Sequence, residues 1–365
     1  IKTLSNLAGF STKRKIVVIE SDDWGSVRMP SLEVYSRLKL KGIDTDKGDG
    51  QRYNTLDSLA APKDFEVLFE VLTSVKDKNG QYAKFTPVSL VANPDFEKIK
   101  QSGFSDYFYE PFTTTLDKYG LKASFEFWKK GIENKIFVPE FHGREHLNVA
   151  AWMRSLQRGD EKTRIAFEEG FWGFRENEHT VNFQAAFDLE FLEDLETQQN
   201  ILSSGLVLFE ELFGYSASFF VPPNGPINNS LQSTAAEKGI KFISTSKIQE
   251  EVFGGKKTKK RFHYIGQNTK YGQVYITRNC FFEPSYKFPG YSTNECLKHI
   301  ETAFKHKKPA IISSHRVNYI GAHSKENRDL GARELKKLLD NIVKLWPDVE
   351  FLTTTELGNL ILYDK

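Results

Sequence analysis

The sequence predicts an α/β protein built on a parallel sheet that is closed or nearly closed. Short apolar runs of strand length alternate along the chain with segments that have the apolar spacing of helices. Repeated strand–helix units whose strands are apolar throughout are typical of a parallel sheet covered by helices. Clusters of polar residues also follow the predicted strands, where parallel α/β proteins collect their functional groups.

The first predicted strand is Lys15 to Glu20, an apolar run bounded by charged residues. Helical spacing predicts helices over residues 31–40 and 62–75, the second of which begins with a proline. The Gly- and Asp-rich residues 44–55 between them predict a surface loop. The later strands are predicted at residues 85–92, 135–141, 216–221, 241–245, 273–278, 309–314 and 349–354. The later helices are predicted at about residues 148–156, 230–238, 294–305 and 327–345.

Residues 159–191 and 249–273 are predicted to be insertions on this scaffold. The first contains an aromatic cluster, GFWGF, and the second contains a basic run, GGKKTKKRFH, which is typical of a solvated loop or hairpin tip. Fifty Lys and Arg stand against 48 Asp and Glu, so the formal net charge is only +2. This balance offers no electrostatic reason to expect a nucleic-acid partner.

Cys280 and Cys296 are the only cysteines, so the sequence contains neither a disulfide framework nor a cysteine-based zinc site. Any transition metal must therefore be held by histidine and carboxylate. No run of 18 apolar residues predicts a membrane span. Residues 1–15 lack the apolar core of a signal peptide, which favours the cytoplasm, although a chain that begins with Ile can have lost an export signal.

Five polar clusters follow predicted strands. Because the carboxyl ends of parallel strands face one side of the sheet, we expect their side chains to converge on one cleft. The clusters are SDDWGS (21–26), HGREH (142–146), PPNG (222–225), RNCFFEP (278–284) and SHRVN (314–318).

Asp22 and Asp23 open the first cluster. In a continuing strand their side chains would point to opposite faces, whereas a loop that leaves the strand can present both to one cleft. One carboxylate can then bind a metal while the other holds a proton. The alternative interpretation is a plain turn with an Asx cap.

His142 and His146 are four residues apart, a spacing that lets both imidazoles reach one ion. With a carboxylate and a third histidine on the same face, the pair predicts a catalytic metal site with open positions. The same stretch also reads as the H-x-x-E-H signature of a metallopeptidase, in which Glu145 would act on a metal-bound water. That reading requires a helix, and Pro139 and Gly143 favour a strand-to-helix turn instead.

His315 ends an apolar strand, and at that position a general acid is a natural role. A buried structural histidine is the alternative. The remaining histidines are interpreted as surface or structural residues, with the last a weak exception because it lies close to residues 313–321: His179, His263, His299, His306 and His323.

Taken in order, these segments resemble the polysaccharide deacetylase family, the NodB-like carbohydrate esterases. The resemblance covers residues 15–354, with both insertions unmatched. The motif T-F-D-D-G is matched by ESDDWG, in which Trp24 is an extra residue; H-[ST]-x-x-H by HGREH; R-P-P-[YF] by VPPN (221–224); and leucine-x-His by ISSH (312–315).

The resemblance implies a distorted (β/α) barrel with about seven parallel strands, formed by a single catalytic domain over residues 1–365. It also implies one divalent metal ion, usually zinc. The implied roles are Asp22 as general base, Asp23, His142 and His146 as metal ligands, His315 as general acid, and the backbone N–H of Asn224 as an oxyanion donor.

The motifs depart from the family at several positions. Val221 replaces the arginine that pairs with the base, so the cation is expected from Arg278, or from Arg28 or Arg316. The residues predicted to bind substrate or to orient the imidazoles are Trp24, Arg144, Glu145, Arg278, Arg316 and Asn318.

The expected function is a metal-dependent hydrolase that removes an acetyl group from a saccharide. N-acetyl is favoured over O-acetyl because an amine leaving group needs the acid His315 more than an alkoxide does. The alternatives are a saccharide-binding pseudoenzyme of the same fold and the H-x-x-E-H peptidase. The expected partner is the acetylated saccharide, and the sequence indicates no obligate protein partner.

Overall fold

The computed structural model of the protein describes residues 8–286 and 288–363. Residues 1–7, part of the stretch that bears on an export signal, lie outside the described residues. The strands are β1 Lys15–Trp24, β2 Phe85–Leu90, β3 Ala92–Pro94, β4 Tyr109–Pro111, β5 Glu140–Gly143, β6 Phe219–Phe220, β7 Phe242–Ile243, β8 Ile248–Val252, β9 Thr258–Phe262, β10 Val274–Tyr275, β11 Cys280–Phe281, β12 Ala310–His315 and β13 Val349–Phe351.

Each predicted helix is present, with both ends within three residues of the prediction, and further helices appear between and after them. The helices are α1 Leu32–Leu40, α2 Gly50–Leu56, α3 Pro62–Thr73, α4 Phe96–Gln101, α5 Phe112–Lys118, α6 Ser124–Glu133, α7 Val149–Arg158, α8 Glu161–Glu168, α9 Asp194–Phe213, α10 Leu231–Glu237, α11 Thr293–Lys305, α12 Lys325–Leu345 and α13 Thr354–Tyr363, with a 3-10 turn at Arg316–Asn318.

The main sheet is entirely parallel, which confirms the predicted α/β class. Its order is β10-β7-β6-β5-β2-β1-β12-β11, and β13 pairs with the first residues of β1. Nine strands take part, where about seven were expected, and β6, β7, β10 and β11 have only two residues each. Residues 274–281 form a bridge between the edges of the sheet, because their start pairs with β7 and their end pairs with β12.

The core lies on both faces of β1. Ile16, Val17, Val18 and Ile19 are at most 1% exposed, as expected for a central strand of a parallel sheet. Trp24, at the end of the strand, packs edge-on against Phe85, Trp128 and Phe137, with ring centroids 4.9–6.1 Å away. Its indole N–H donates to Ser21 Oγ at 3.0 Å.

The two predicted insertions have different structures. Residues 159–191 contain α8 and then an irregular segment whose aromatic residues Phe171, Trp172 and Phe174 are buried. Residues 249–273 contain most of the antiparallel hairpin β8–β9, and the basic run lies at its tip and along the largely exposed β9. Among the described residues, no helix is long and apolar enough to cross a membrane.

Residues 44–55, predicted as a surface loop, instead contain most of α2. The helix begins at Gly50 without a side-chain cap, so the usual start signal is missing. Arg52 and Asn54 on α2 make contacts with distant parts of the chain or with the preceding loop. These tertiary contacts stabilise a short helix that local sequence does not predict.

Gly331 lets α12 approach the 3-10 turn at Arg316–Asn318. A Cβ at this position would lie 1.7 Å from the carbonyl oxygen of Asn318. Real atoms cannot approach so closely, so either the helix or the turn would have to move.

We expect Gly331→Ala to lower the free energy of unfolding by about 1–3 kcal/mol because of this clash, although alanine favours helices. Urea denaturation followed by circular dichroism measures the change. Arg333→Ala, on the exposed face of the same helix, is the control and should stay within about 0.5 kcal/mol of the wild type. A Gly331→Ala variant as stable as the wild type would contradict the close approach.

Candidate active site and metal cluster

A cavity of about 1230 Å³ lies at the carboxyl ends of the parallel strands. Each of the five predicted polar clusters contributes to its wall, which confirms that they face one side of the sheet. The contributing residues include Asp22 and Asp23, His142 and His146, Asn224, Arg278, and His315.

A bulge in β1 turns Asp22 and Asp23 toward the same cavity. The strand runs on to Trp24, but its pairing with β2 advances three residues on β1, from Ser21 to Trp24, against two on β2. Asp23 has a positive φ of 75°, which a non-glycine residue rarely adopts. The bulge therefore presents two adjacent carboxylates to one side, as a loop would.

Asp23, His142 and His146 form a compact group of potential metal ligands. Asp23 Oδ1 lies 3.3 Å from His142 Nε2 and 3.4 Å from His146 Nε2. The three ligand atoms all lie within 4.8 Å of one another, and all three residues are buried. His142 ends β5 and His146 lies in the loop before α7, so the pair spans a strand-to-helix turn rather than sharing a helix.

The donor set fits a divalent ion. The Nδ1 atom of His142 lies 2.7 Å from the carbonyl oxygen of Val221, which can only accept, so Nδ1 carries the proton. This leaves Nε2 of His142 facing Oδ1 of Asp23 at 3.3 Å, and a divalent ion between the two atoms would be bound by both. Burial lowers the pKa of His146, which favours the neutral ligand form. Two ligand atoms bound tetrahedrally at about 2.0–2.1 Å from zinc are about 3.4 Å apart.

Asp22 is paired with Arg278. The two Nη atoms of Arg278 donate to the two carboxylate oxygens at 2.6 Å, and Nε donates to Glu20 at 2.6 Å. Burial alone would raise the pKa of Asp22, but the guanidinium outweighs it and holds that pKa below its ordinary value. Asp22 is therefore ionised at neutral pH.

His315 is paired with Glu283. Its Nδ1 lies 2.5 Å from Glu283 Oε1, and its Nε2 lies 3.9 Å from Asp22 Oδ2. Burial opposes protonation, but the Glu283 carboxylate outweighs it and raises the pKa of His315 to about 9. Arg52 and Asn318 both donate to the other oxygen of Glu283, at 2.5 and 2.7 Å. Asn318 thus helps to orient the Glu283 carboxylate that pairs with His315.

Five of the six residues predicted to bind substrate or to orient the imidazoles do not line the cavity: Trp24, Arg144, Glu145, Arg316 and Asn318. Trp24 is 1% exposed within the aromatic core, because the bulge directs it inward. Arg144 and Glu145 pair with each other at 2.6 and 2.7 Å. The Arg144 guanidinium also lies 4.0 Å above the ring of Tyr109. Neither contacts His142 or His146 among the described interactions.

Arg316 is buried and does not pair with Asp22. Its guanidinium donates to both oxygens of Asp57 at 3.0 Å and to the carbonyl oxygen of Ser26 at 2.7 Å. Of the three arginines that the sequence offered as partners for Asp22, it is Arg278 that contacts it.

Four residues of the site were not predicted: Glu20, Arg52, Tyr53 and Glu283. Glu283 lies in the RNCFFEP cluster, so its position after a predicted strand could have identified it as a site residue. Tyr53 lies edge-on to His315, with centroids 5.8 Å apart, and sits on α2, which the sequence did not predict.

No protein-family model and no curated protein sequence matches the chain. Several solved structures are similar to it. A Mycobacterium smegmatis protein named as a polysaccharide deacetylase is 11% identical, with a TM-score of 0.47, over 98% of this chain and 93% of its own. A Pseudomonas aeruginosa protein with the same name is 10% identical, with a TM-score of 0.48, over 95% and 91%.

A 4-alpha-glucanotransferase from Thermococcus litoralis is also similar, with 8% identity and a TM-score of 0.48, over 94% of this chain and 40% of its own. Polysaccharide deacetylases, the family that the sequence motifs resemble, are thus among the solved structures to which this chain is similar.

Proposed function

We propose that the protein is a metal-dependent deacetylase that removes an acetyl group, preferably N-linked, from a saccharide. One observation carries the proposal: an Asp-His-His group, an ionised carboxylate and a protonated histidine open onto one cavity. These are the parts that amide hydrolysis requires. The saccharide, and a single catalytic domain, are inferred from the motif resemblance.

Asp23, His142 and His146 would hold the ion, which we assign as zinc because zinc is bound in proteins by imidazole and carboxylate ligands. When bound, such an ion supplies a water of lowered pKa and polarises the acetamide carbonyl. Neutral imidazoles suit this role, which agrees with the lowered pKa of His146.

Asp22 acts as general base in this proposal. Its carboxylate is ionised, and the two bonds from Arg278 hold it in one orientation beside Asp23. It takes the proton of the attacking water as the new C–O bond forms. The backbone N–H of Asn224, on the cavity wall, helps to stabilise the negative charge that develops on the carbonyl oxygen.

His315 acts as general acid. Its raised pKa of about 9 keeps it protonated at neutral pH, so it can donate a proton to the departing nitrogen as the C–N bond breaks. Acetate and a free amino sugar are the products. An amine cannot leave as an anion, so a strongly protonated histidine supports N-acetyl over O-acetyl substrates.

The position of Glu145 argues against the peptidase alternative, in which this residue would be catalytic. Glu145 is buried in an ion pair with Arg144 and does not lie in a helix over the metal ligands. The saccharide-binding alternative keeps the whole cavity and differs only in turnover, so the experiment below separates it.

The protein is expected to bind one equivalent of zinc and to release acetate from acetylated chitooligosaccharides. Chelation should abolish the release, and added zinc should restore it. His142→Ala and His146→Ala should lose both metal, measured by mass spectrometry, and acetate release. His299→Ala, on the same cavity wall, is the control. Bound zinc without acetate from any saccharide in a panel would favour a binding protein, and peptide cleavage would revive the peptidase.

Glu283→Gln should move the alkaline limb of activity to lower pH. His315 must be protonated to act, so activity is present below its pKa and is lost as the pH rises through about 9. Removing the carboxylate lowers that pKa, and we expect the limb to fall by about one to two pH units. NMR titration of the His315 ring measures the same shift without turnover. Glu178→Gln, another carboxylate of the cavity wall, should leave the limb in place; an unmoved limb in Glu283→Gln would contradict the pairing.

Arg278→Ala should reduce kcat at least about hundredfold, because Asp22 loses its orientation and its counterion. It should also destabilise the fold by about 3–5 kcal/mol, since two buried carboxylates lose their cation. Arg278→Lys keeps the charge without the bidentate geometry and should fold but remain slow. Arg175→Ala, an exposed arginine on the cavity wall, is the control. Wild-type kcat in a folded Arg278 variant would remove Arg278 from the proposed site.

A further inference from the structure

Arg28 lies on the cavity wall but has no role in the chemistry proposed above. It lines the main cavity and also a small recess formed with Asp23, His146, Asp57 and Arg316. The Arg28 guanidinium therefore lies close to the proposed metal ligands Asp23 and His146.

Other arginines around the site are matched by carboxylates. Arg52 contacts Glu283, Arg278 contacts Asp22, and Arg316 contacts Asp57, at 2.5–3.0 Å. Within the described ranges, 8–286 and 288–363, no carboxylate oxygen lies within 4.0 Å of the Arg28 guanidinium nitrogens.

The position of the Arg28 guanidinium is nevertheless well defined. Its Nε donates to Asn54 Oδ1 at 3.3 Å, and its Cζ lies over the ring of Tyr53, 4.8 Å from the centroid. Asn54 is 1% exposed and is itself held by a 2.6 Å bond to the carbonyl oxygen of Thr45. Neither Nη group donates a hydrogen bond to any of the residues that the structure describes.

This arrangement is the one in which arginine recognises an acidic group. The Nε atom is bonded to the protein and Tyr53 packs against the guanidinium, whereas the two Nη groups remain for a ligand. A guanidinium fork binds the paired oxygens of a carboxylate or phosphate with two parallel hydrogen bonds. Its fixed orientation lowers the entropy lost when the ligand binds.

We propose that Arg28 binds an acidic substituent of the saccharide, so that the substrate is an acidic acetylated saccharide rather than a neutral one. The inference rests on the proposed function. Because Arg28 shares the recess with Asp23 and His146, the acidic group lies on the acetylated ring or on its neighbour.

Calorimetry tests this inference with the full chain, as purified and again after chelation to stop turnover. The probes are a trisaccharide of N-acetylglucosamine, its carboxymethyl ethers at C3 and at C6, and its 6-phosphate. We expect at least one acidic probe to bind about tenfold or more tightly than the neutral parent. The carboxylate and phosphate probes distinguish the two sources of acidity.

Arg28→Gln should abolish the preference for the acidic probe, and Arg28→Lys should keep only part of it. Arg175→Gln removes the same charge from the exposed wall of the cavity and should keep the preference. Equal affinity of the wild type for neutral and acidic probes would overturn the inference. An Arg28→Gln variant that loses the same factor for every probe would also overturn it, because Arg28 would then contact a group common to all.

Failure of the proposed function has a different signature. If no saccharide releases acetate but the acidic preference depends on Arg28, the acidic subsite stands and the deacetylase assignment falls. If acetate is released from neutral and acidic saccharides alike and binding shows no preference, the deacetylase stands and the subsite falls.

Discussion

The neutralisation of Glu20 and Asp22 by Arg278 is the constraint on which the rest of the site depends. Both carboxylates are at most 5% exposed, and two anions cannot remain charged in such a place without a cation. Burial prevails at Glu20, whose pKa is raised, whereas the guanidinium prevails at Asp22. One arginine thus sets the protonation state of the proposed base, and its bidentate contact sets the orientation.

A second group of ion pairs raises the pKa of the neighbouring His315, whereas Arg278 lowers the pKa of Asp22. Glu283, held by Arg52 and Asn318, keeps His315 protonated, while Arg278 keeps Asp22 ionised. The parallel register pairs Asp22 with His315 on adjacent strands, so the two groups face one cavity in opposite protonation states. Environments that separate two pKa values in this way divide a site into a base and an acid.

Much of the fold and of the site follows from local sequence. The strand at residues 15–20, the helix that begins with a proline at 62 and the helix at residues 327–345 have strong apolar patterns, and all three are present. The convergence of five polar clusters follows from one property, the parallel direction of the strands they end. Local sequence patterns predicted these elements correctly because each pattern lies within a single strand or helix.

Contacts between distant residues account for the differences. Trp24, an extra residue in its motif, was predicted to bind substrate or to orient an imidazole, but a bulge absorbs the extra residue and directs the ring into the core. The helix α2 lacks a cap and depends on tertiary contacts. Glu283 reaches His315 across 32 positions of sequence, a pairing that no local pattern encodes.

Arg278 lies in residues 274–281, the bridge between the edges of the sheet. Val221, where the related motif has its arginine, lies directly after β6 on another part of the sheet. In a nearly closed sheet several strand ends lie near the centre, so the cation that pairs with a carboxylate there can be supplied from more than one strand. A motif search that demands arginine at one sequence position would pass over proteins that supply the same charge from another strand.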